Sequence, residues 1–428
     1  MRKAYFWFRR DLRLEDNTAL FNALTENKQV QCLFIFDNNI LEELPRDDAR
    51  VTFIHLELAK INTQLQRYGS SLQVKIGRPA EVWKKLIASD EVSAIYTNKD
   101  YEPYARQRDG EIRDLAESNH IDFKRYKDQV IYEENDVLKA DGKPYTIYTP
   151  FKNLWRKQFV ADEHLPYSIE KITEHFAASS YEFPMLSTFG MEKSFVCVKP
   201  FSLDDLADYP QMRDLPAEDK TSYLSPHLRF GTIGIRSLVQ KVKHHEVFLN
   251  ELIWREFFMQ ILYHFPKVVH QSFKIKYDAI PWRNNEVEFE AWCKGETGYP
   301  MVDAGMRQLN ETGYMHNRVR MVVASFLCKH LLIDWRWGEA YFAQKLLDYD
   351  LSANNGNWQW AAGTGCDSAP YFRVFNPTAQ LEKFDKKGIY VRTWVKDLDE
   401  LSYPQPIVEH KMARERAIAT YKLALSER

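Results

Sequence analysis

The chain has 428 residues, 45% of them hydrophobic and 28% charged, which suits a globular protein of two to three domains at about 150 residues each. Lys and Arg number 58 against 60 Asp and Glu, a formal net charge of −2. No global basic field therefore points to a nucleic-acid partner, and an anion-binding surface would have to be a local patch.

Over the first 130 residues, short β-branched and aromatic runs at 5–8, 30–36, 72–76 and 92–96 alternate with amphipathic stretches at 49–68, 80–89 and 104–118. This alternation predicts βαβ units in a doubly wound, Rossmann-like parallel sheet, which binds ligands at the carboxyl ends of its strands. Neither G-x-G-x-x-G nor G-x-x-x-x-G-K-[ST] occurs, which argues against a dehydrogenase or a P-loop enzyme. Residues 131–200 show weak periodicity with scattered Pro, Gly and Ser, and read as an interdomain linker. From 201 onward the pattern is helical, with helices predicted at 222–230, 235–243, 247–263, 286–294, 301–311, 317–332, 337–349 and 409–425. The expected organisation is an α/β domain over 1–130, a linker over 131–200 and an all-α domain over 201–428.

Cys32, Cys197, Cys293, Cys328 and Cys366 form no C-x-x-C pair, so neither a disulfide framework nor a zinc site is suggested. No apolar run reaches the roughly 18 residues of a membrane-spanning helix. The first residues run into a strand pattern without the apolar core of a signal peptide. A reduced, cytoplasmic protein is the expectation.

Three stretches of the helical half carry candidate chemistry. Glu251, Arg255 and Glu256 interrupt an otherwise apolar run. Glu251 and Arg255 are four apart and fit either a surface ion pair or a ligand contact beside Trp254. The polar, glycine-containing stretch from Asp348 through Asp350, Asn354 and Gly356 to Trp360 reads as a link between helices, either a ligand wall or a plain loop. Thr221, Ser222 and Ser225 precede a predicted helix, where hydroxyls either cap the helix or help its free N–H groups hold a phosphate.

Several longer motifs occur in order: Phe8-Arg9-Arg10-Asp11-Leu12-Arg13-Leu14-Glu15-Asp16-Asn17, Asn250-Glu251-Leu252-Ile253-Trp254-Arg255-Glu256-Phe257, Thr297-Gly298-Tyr299-Pro300-Met301-Val302-Asp303-Ala304, Met315-His316-Asn317-Arg318-Val319-Arg320-Met321, Asn354-Asn355-Gly356-Asn357-Trp358-Gln359-Trp360 and Phe375-Asn376-Pro377. Through them the chain resembles, from end to end, the photolyase/cryptochrome flavoproteins, and within them the branch that repairs cyclobutane pyrimidine dimers. The resemblance implies an α/β antenna domain, a linker and a helical domain that binds FAD. By position, Tyr209, Arg213, Thr221, Ser222, Tyr223, Leu224 and Ser225 would hold the ribityl and phosphate portion. Arg255, Asp348 and Asp350 would line the isoalloxazine, with Glu251, Trp254, Phe258 and Tyr349 also among the cofactor contacts, and Asn354 would face N5.

The implied reaction is a light-dependent carbon–carbon lysis in UV-damaged DNA, with the dimer flipped out of the duplex. Glu251, Trp254, Asn317, Met321 and Trp360 match lesion-pocket positions, and Arg318 is a candidate contact to the DNA backbone. Glu251, Asn317, Met321 and Asn354 form the implied catalytic set. Glu251, inside an apolar helix, is expected to be desolvated and protonated, able to donate to a dimer carbonyl. Trp282, Trp335 and Trp358 match an electron relay from surface to flavin. A monomer is expected, with no metal, membrane or obligate protein partner. The alternatives are a cryptochrome-type photoreceptor, which commonly has a long tail and often lacks Asn at the position of Asn354, and a (6-4) photolyase, which has a histidine pair where this chain reads Met315-His316-Asn317-Arg318. A second, antenna chromophore could be a folate, a deazaflavin or another flavin. The Asn-Glu pair of folate-using relatives is missing near Tyr104-Ala105.

Overall fold

A computed structural model describes residues 2–89 and 91–426. Their contacts divide the chain into two units: Met1–Asp136, Trp155–Phe201 and Leu224–Leu249 form the first, and Val137–Leu154, Ser202–Tyr223 and Asn250–Arg428 the second.

The first unit is built on five parallel strands, β1 (Lys3–Phe8), β2 (Val30–Asp37), β3 (Gln73–Gly77), β4 (Val92–Asn98) and β5 (Asp122–Tyr126), in the order β3-β2-β1-β4-β5. From β1 the chain first adds β2 and β3 on one side and then crosses to add β4 and β5 on the other, so β1 and β4 flank the switch point at which such sheets open a crevice. Period-2 alternation sends Phe6 and Phe8 to one face with Cys32, Phe34 and helix α1 (Thr18–Glu26). Tyr5 and Trp7 go to the other face with Leu33, Ile35 and Trp83 of α3 (Pro79–Ala88). Helix α2 (Ala49–Arg67) joins the first face and α4 (Pro103–Ser118) the second. Side chains start α1 and α2, where Asn17 accepts from Leu20 N and Asp48 from Arg50 N, and prolines open α3 and α4. The predicted doubly wound sheet is present, with β5 added at an edge where Asp122-Phe123-Lys124-Arg125-Tyr126 shows little apolar alternation.

The motif from Phe8 to Asn17 serves this unit structurally. Arg236 donates to Asp16 Oδ1 and to Asp128 Oδ1, each at 2.7 Å, and Arg13 donates to Asp128 Oδ2 at 2.5 Å. Asn98 donates to Asp11 Oδ2 at 2.6 Å. All these groups are buried or nearly so, and at Asp128 the two arginines outweigh the desolvation of the carboxylate. Ile169, Phe176 and Met191, from the stretch of weak periodicity, pack into the same apolar layer as β1 and β2.

The second unit is helical. Helix α5 (Glu246–His264) enters it from Asn250 onward, followed by α6 (Pro300–Thr312), α7 (Asn317–Ser325), α8 (Trp335–Lys345), α9 (Leu351–Ala362) and α10 (His410–Ser426). Two sequence expectations change. The helix expected over 317–332 ends at Ser325 and continues as one π-helical stretch, Phe326–His330. The polar stretch expected to link helices is itself helix α9, begun by Asp350, whose carboxylate accepts from Ala353 N at 3.2 Å, and ended by Gly363 at φ +88°. Its polar residues escaped a periodicity test because Asn354, Asn355 and Gln359 are buried on side-chain hydrogen bonds rather than on apolar contacts. No described helix is long and apolar enough to cross a membrane.

Candidate active site

Of the residues expected around a flavin phosphate, Tyr209, Arg213, Thr221, Ser222 and Tyr223 lie in the stretch Ser202–Tyr223. Tyr209 opens a single helical turn, and the Arg213 guanidinium lies 5.4 Å over its ring. Arg213 Nη1 donates to Glu251 Oε1 of α5 at 2.7 Å. Burial pushes the Tyr209 phenol well up, and the Glu251 charge adds to the effect. Thr221 Oγ1 accepts from the Tyr314 hydroxyl at 3.2 Å, and the Tyr223 and Tyr314 rings lie 4.9 Å apart. Tyr223 adopts φ +52°, the left-handed region that a tyrosine rarely occupies, so this turn is held under local strain. Ser222 accepts at its carbonyl from Ser202 N at 3.0 Å. Leu224 is buried and Ser225 is exposed at the start of the helix Ser225–Phe230; both belong to the first unit.

On α5, Glu251 departs from expectation. Its side chain is 34% exposed and paired with Arg213, a partly exposed position rather than the buried one expected. Trp254 stacks on Tyr148 with ring centroids 3.6 Å apart and planes within 8°. Tyr148 is fixed by its hydroxyl, which donates to the Asn250 carbonyl at 2.8 Å. One face of Trp254 is thus already covered, by a residue with no sequence signal beyond being aromatic. Phe258 is buried and marks where α5 meets α9: a Cβ on Gly356 would fall 2.1 Å from Phe258 Cδ1. Glycine is the residue that this close approach admits. Arg255 is half-buried one turn beyond Glu251.

Helix α9 and the turn before it carry the carboxylates and the key amide. Asp348 accepts from Arg320 Nη1 at 3.2 Å and Nη2 at 2.9 Å. Arg320 in turn donates from Nε to the Met315 carbonyl at 2.7 Å. Tyr349 is half-buried between Asp348 and the cap residue Asp350. Asn354 is 9% exposed, and its Nδ2 donates to both the carbonyl oxygen (3.1 Å) and Oε1 (2.9 Å) of Glu339 on α8. Burial raises the Glu339 carboxyl, with Asn354 opposing. Both N–H groups of the amide are therefore directed to Glu339, and Oδ1 is the polar atom left for a ligand. Trp360 is half-buried two turns further along.

Helix α7 presents Asn317 and Met321, four apart on one face, exposed and half-buried respectively. His316 caps the helix by accepting from Arg318 N at 3.2 Å, and burial holds it neutral, pushed down to about 4. Arg318 donates to Asp214 Oδ1 from Nη2 at 2.9 Å and from Nε at 3.2 Å, with its guanidinium 4.4 Å over the Phe384 ring. The sequence offered no sign that this cation would already be held.

The three candidate relay tryptophans share one apolar cluster. Trp358 is 2% exposed and sits edge-to-face with Phe342 at 5.0 Å; Trp335 is fully buried. Trp282 is half-buried and meets Tyr421 edge-on at 5.9 Å. Of the three, Trp282 is the one that reaches solvent. Sequence reasoning missed Tyr148, Arg320 and Glu339, each of which acts by holding a residue it did find.

Comparison with known proteins identifies the family. Residues 4–170 match the family model described as DNA photolyase, and 248–402 the one described as FAD binding domain of DNA photolyase. A deoxyribodipyrimidine photo-lyase of Synechococcus is 36% identical over 99% of this chain and 97% of its own. One from Escherichia coli is 37% identical over 98% of both. Among solved structures, an archaeal photolyase from Sulfolobus tokodaii with two FAD molecules aligns at a TM-score of 0.88 and 39% identity, covering 98% of this chain and 100% of that one. A Synechocystis cryptochrome aligns at 0.86 and 25% identity over 98% and 99%. With repair enzymes this similar aligned over nearly their whole length, the chain belongs to the DNA photolyase family.

Proposed function

We propose that the protein is a light-driven DNA lyase that splits cyclobutane pyrimidine dimers with FAD as its cofactor. The observation that carries this reading is the near-full-length likeness to deoxyribodipyrimidine photo-lyases, together with the Asn354 amide held by Glu339. The donor set fits the cofactor. Arg213, Thr221, Ser222 and Tyr209 supply a cation and hydroxyls suited to a pyrophosphate and ribityl chain. Asn354 Oδ1 would accept from the N5–H of reduced flavin, the form required of an electron donor.

When bound, reduced and photoexcited, FAD supplies the one electron that opens the cyclobutane ring and takes it back afterwards. The protein's part is to hold the lesion and shape the field around it. Glu251, oriented by Arg213, would offer its carboxyl group to the polar edge of the dimer. Asn317 and Met321, on one face of α7, would meet the flipped bases, with Trp254 and Trp360 offering aromatic faces. For Trp254 that means the face away from Tyr148, or displacement of the tyrosine. Trp282, Trp335 and Trp358 would return the flavin to its reduced form under light.

A second flavin is the antenna pigment we favour, because the Sulfolobus photolyase is described with two FAD molecules at 39% identity. The carboxyl ends of β1, β2 and β4 bring Arg9, Arg108, Asp37 and Tyr104 into one network on Trp7 and α4, as a site for such a ligand would require. The cytoplasm is the compartment we infer, and a monomer the form. The activity test is dimer loss from a defined oligonucleotide under illumination. Flavin-loaded protein that leaves the dimer intact in light would favour the photoreceptor reading, which the likeness to a cryptochrome keeps in play.

A further inference from the structure

We infer that Asp214 is a built-in competitor for DNA phosphate. In the free protein it occupies Arg318, and a backbone phosphate must displace it. This rests on the proposed reading of Arg318 as a contact to the DNA backbone.

The adjacent residues Arg213 and Asp214 face opposite charges in the site: Arg213 holds Glu251 of α5 at 2.7 Å and Asp214 holds Arg318 of α7 at 2.9 Å. Neither cation that a phosphate would seek is therefore open in the free state. His316 beside them adds no charge, since burial keeps it neutral. The Arg318 fork is also oriented before anything binds. Its plane rests on Phe384, itself 9% exposed, and two of its donors, Nε and Nη2, converge on the single oxygen Asp214 Oδ1. A phosphate oxygen can take that place with the same two donors, because guanidinium geometry suits carboxylate and phosphate alike.

The exchange is inexpensive on the carboxylate side. Asp214 is 35% exposed while Arg318 is 18% exposed, so a displaced Asp214 returns to water. Half-exposed ion pairs of this kind contribute little. The phosphate gains what the carboxylate cannot offer, release of the counterions condensed on DNA. Undamaged and damaged DNA alike must break the pair, but only a flipped lesion adds pocket contacts in return. Asp214 thus lowers affinity for undamaged DNA in absolute terms and leaves residence on the lesion to the pocket.

The test is a double-mutant cycle on the flavin-loaded, full-length protein, binding undamaged and dimer-containing duplex of equal length over a salt series. Asp214→Asn should raise affinity for both duplexes by about two- to fivefold. Arg318→Ala should lower both and reduce the salt slope by about one. In the Arg318→Ala background, Asp214→Asn should have no further effect. If its gain persists there, Asp214 acts only through net charge and the inference is overturned. If Arg318→Ala leaves binding and slope unchanged, the reading of Arg318 fails first. If Arg318→Ala weakens binding but Asp214→Asn changes nothing, the competitor role alone fails. Flavin absorbance and thermal midpoint on each variant establish that the fold and the neighbouring Arg213 are intact.

Discussion

Replacing Gly338 by alanine tests the packing that places Trp358. Gly338 lies inside α8, where exchanging Gly for Ala at an open site should stabilise the helix by about 1 kcal/mol. Here the new methyl would stand 2.1 Å from Trp358 Cη2, 2.5 Å from Cζ3 and 2.6 Å from Leu327 Cδ2. Carbon atoms rest at about 3.5 Å or more, so the indole edge would have to retreat by roughly 1.4 Å. It has little room to do so, being 2% exposed and edge-packed against Phe342 at 5.0 Å and Trp292 at 6.1 Å. Overpacking of this kind costs about 1–3 kcal/mol, and a clash with a large ring held on several sides belongs at the upper end. Set against the helix gain of about 1 kcal/mol this leaves a net loss of about 2 kcal/mol, and at about 2–4 °C per kcal/mol for a unit of this size the thermal midpoint should fall by roughly 4–8 °C. The sign decides the matter in a thermal melt of the flavin-loaded protein. An unchanged or raised midpoint would refute the close approach of α8 and α9.

Four further outcomes follow from the same geometry. Trp358→Phe should strongly slow photoreduction of oxidised FAD while leaving repair by chemically pre-reduced protein nearly intact, since Phe fills similar space but is harder to oxidise; flash spectroscopy reads the first and a dimer assay the second. Glu251→Ala should lower repair yield per absorbed photon with dimer affinity reduced, and it should deprive Arg213 of its contact with the Glu251 carboxylate; retained flavin with full yield would move Glu251 to the scaffold. Burial acts against the Asp128 carboxylate, but Arg13 and Arg236 outweigh it and hold the carboxyl below its usual range. A folded-state value depressed in this way stabilises the protein above the unfolded value near 4 and is lost as pH falls through the folded one, so Asp128→Asn should cost about 3–5 kcal/mol at neutral pH and flatten the acid limb of the stability profile. Lys329 is 1% exposed, with its ammonium 3.8 Å over the Tyr421 ring, and burial pushes it down to about 7. Between that value and the roughly 10.4 of an unfolded lysine the unfolded chain binds the extra proton, so stability should rise with pH across this window, and Lys329→Met should abolish the rise.

Much of the fold is legible in periodicity because its elements bury apolar faces. The strands around Phe6, Phe34 and Ile95, and the helix Glu286–Lys294, lie where the alternation and the 3.6-residue pattern put them. Periodicity fails where burial is polar. Helix α9 hides Asn354, Asn355 and Gln359 by pairing each with a distant group, so its pattern reads as a loop. The edge strand β5 carries charge on its exposed positions and gives no apolar signal. Site residues were legible as motifs, but their partners were not. Glu251 sits four residues from Arg255, and local spacing suggests that pair, yet the structure supplies Arg213, 38 residues away in sequence. Arg318 and Asp214 are 104 apart, and Asn354 meets Glu339 across a helix–helix contact. Such long-range charge pairing has no local correlate.

The measurement that bears most directly on the account is dimer loss from a thymine-dimer oligonucleotide, followed in matched light and dark samples with purified, flavin-loaded, pre-reduced protein. Dimers should disappear in the light alone, with turnover, no net change in flavin redox state, and severe loss of yield in Asn354 or Trp360 variants that still bind FAD. Folded protein that carries reduced FAD and binds the dimer duplex, yet leaves every dimer intact under illumination, would contradict it.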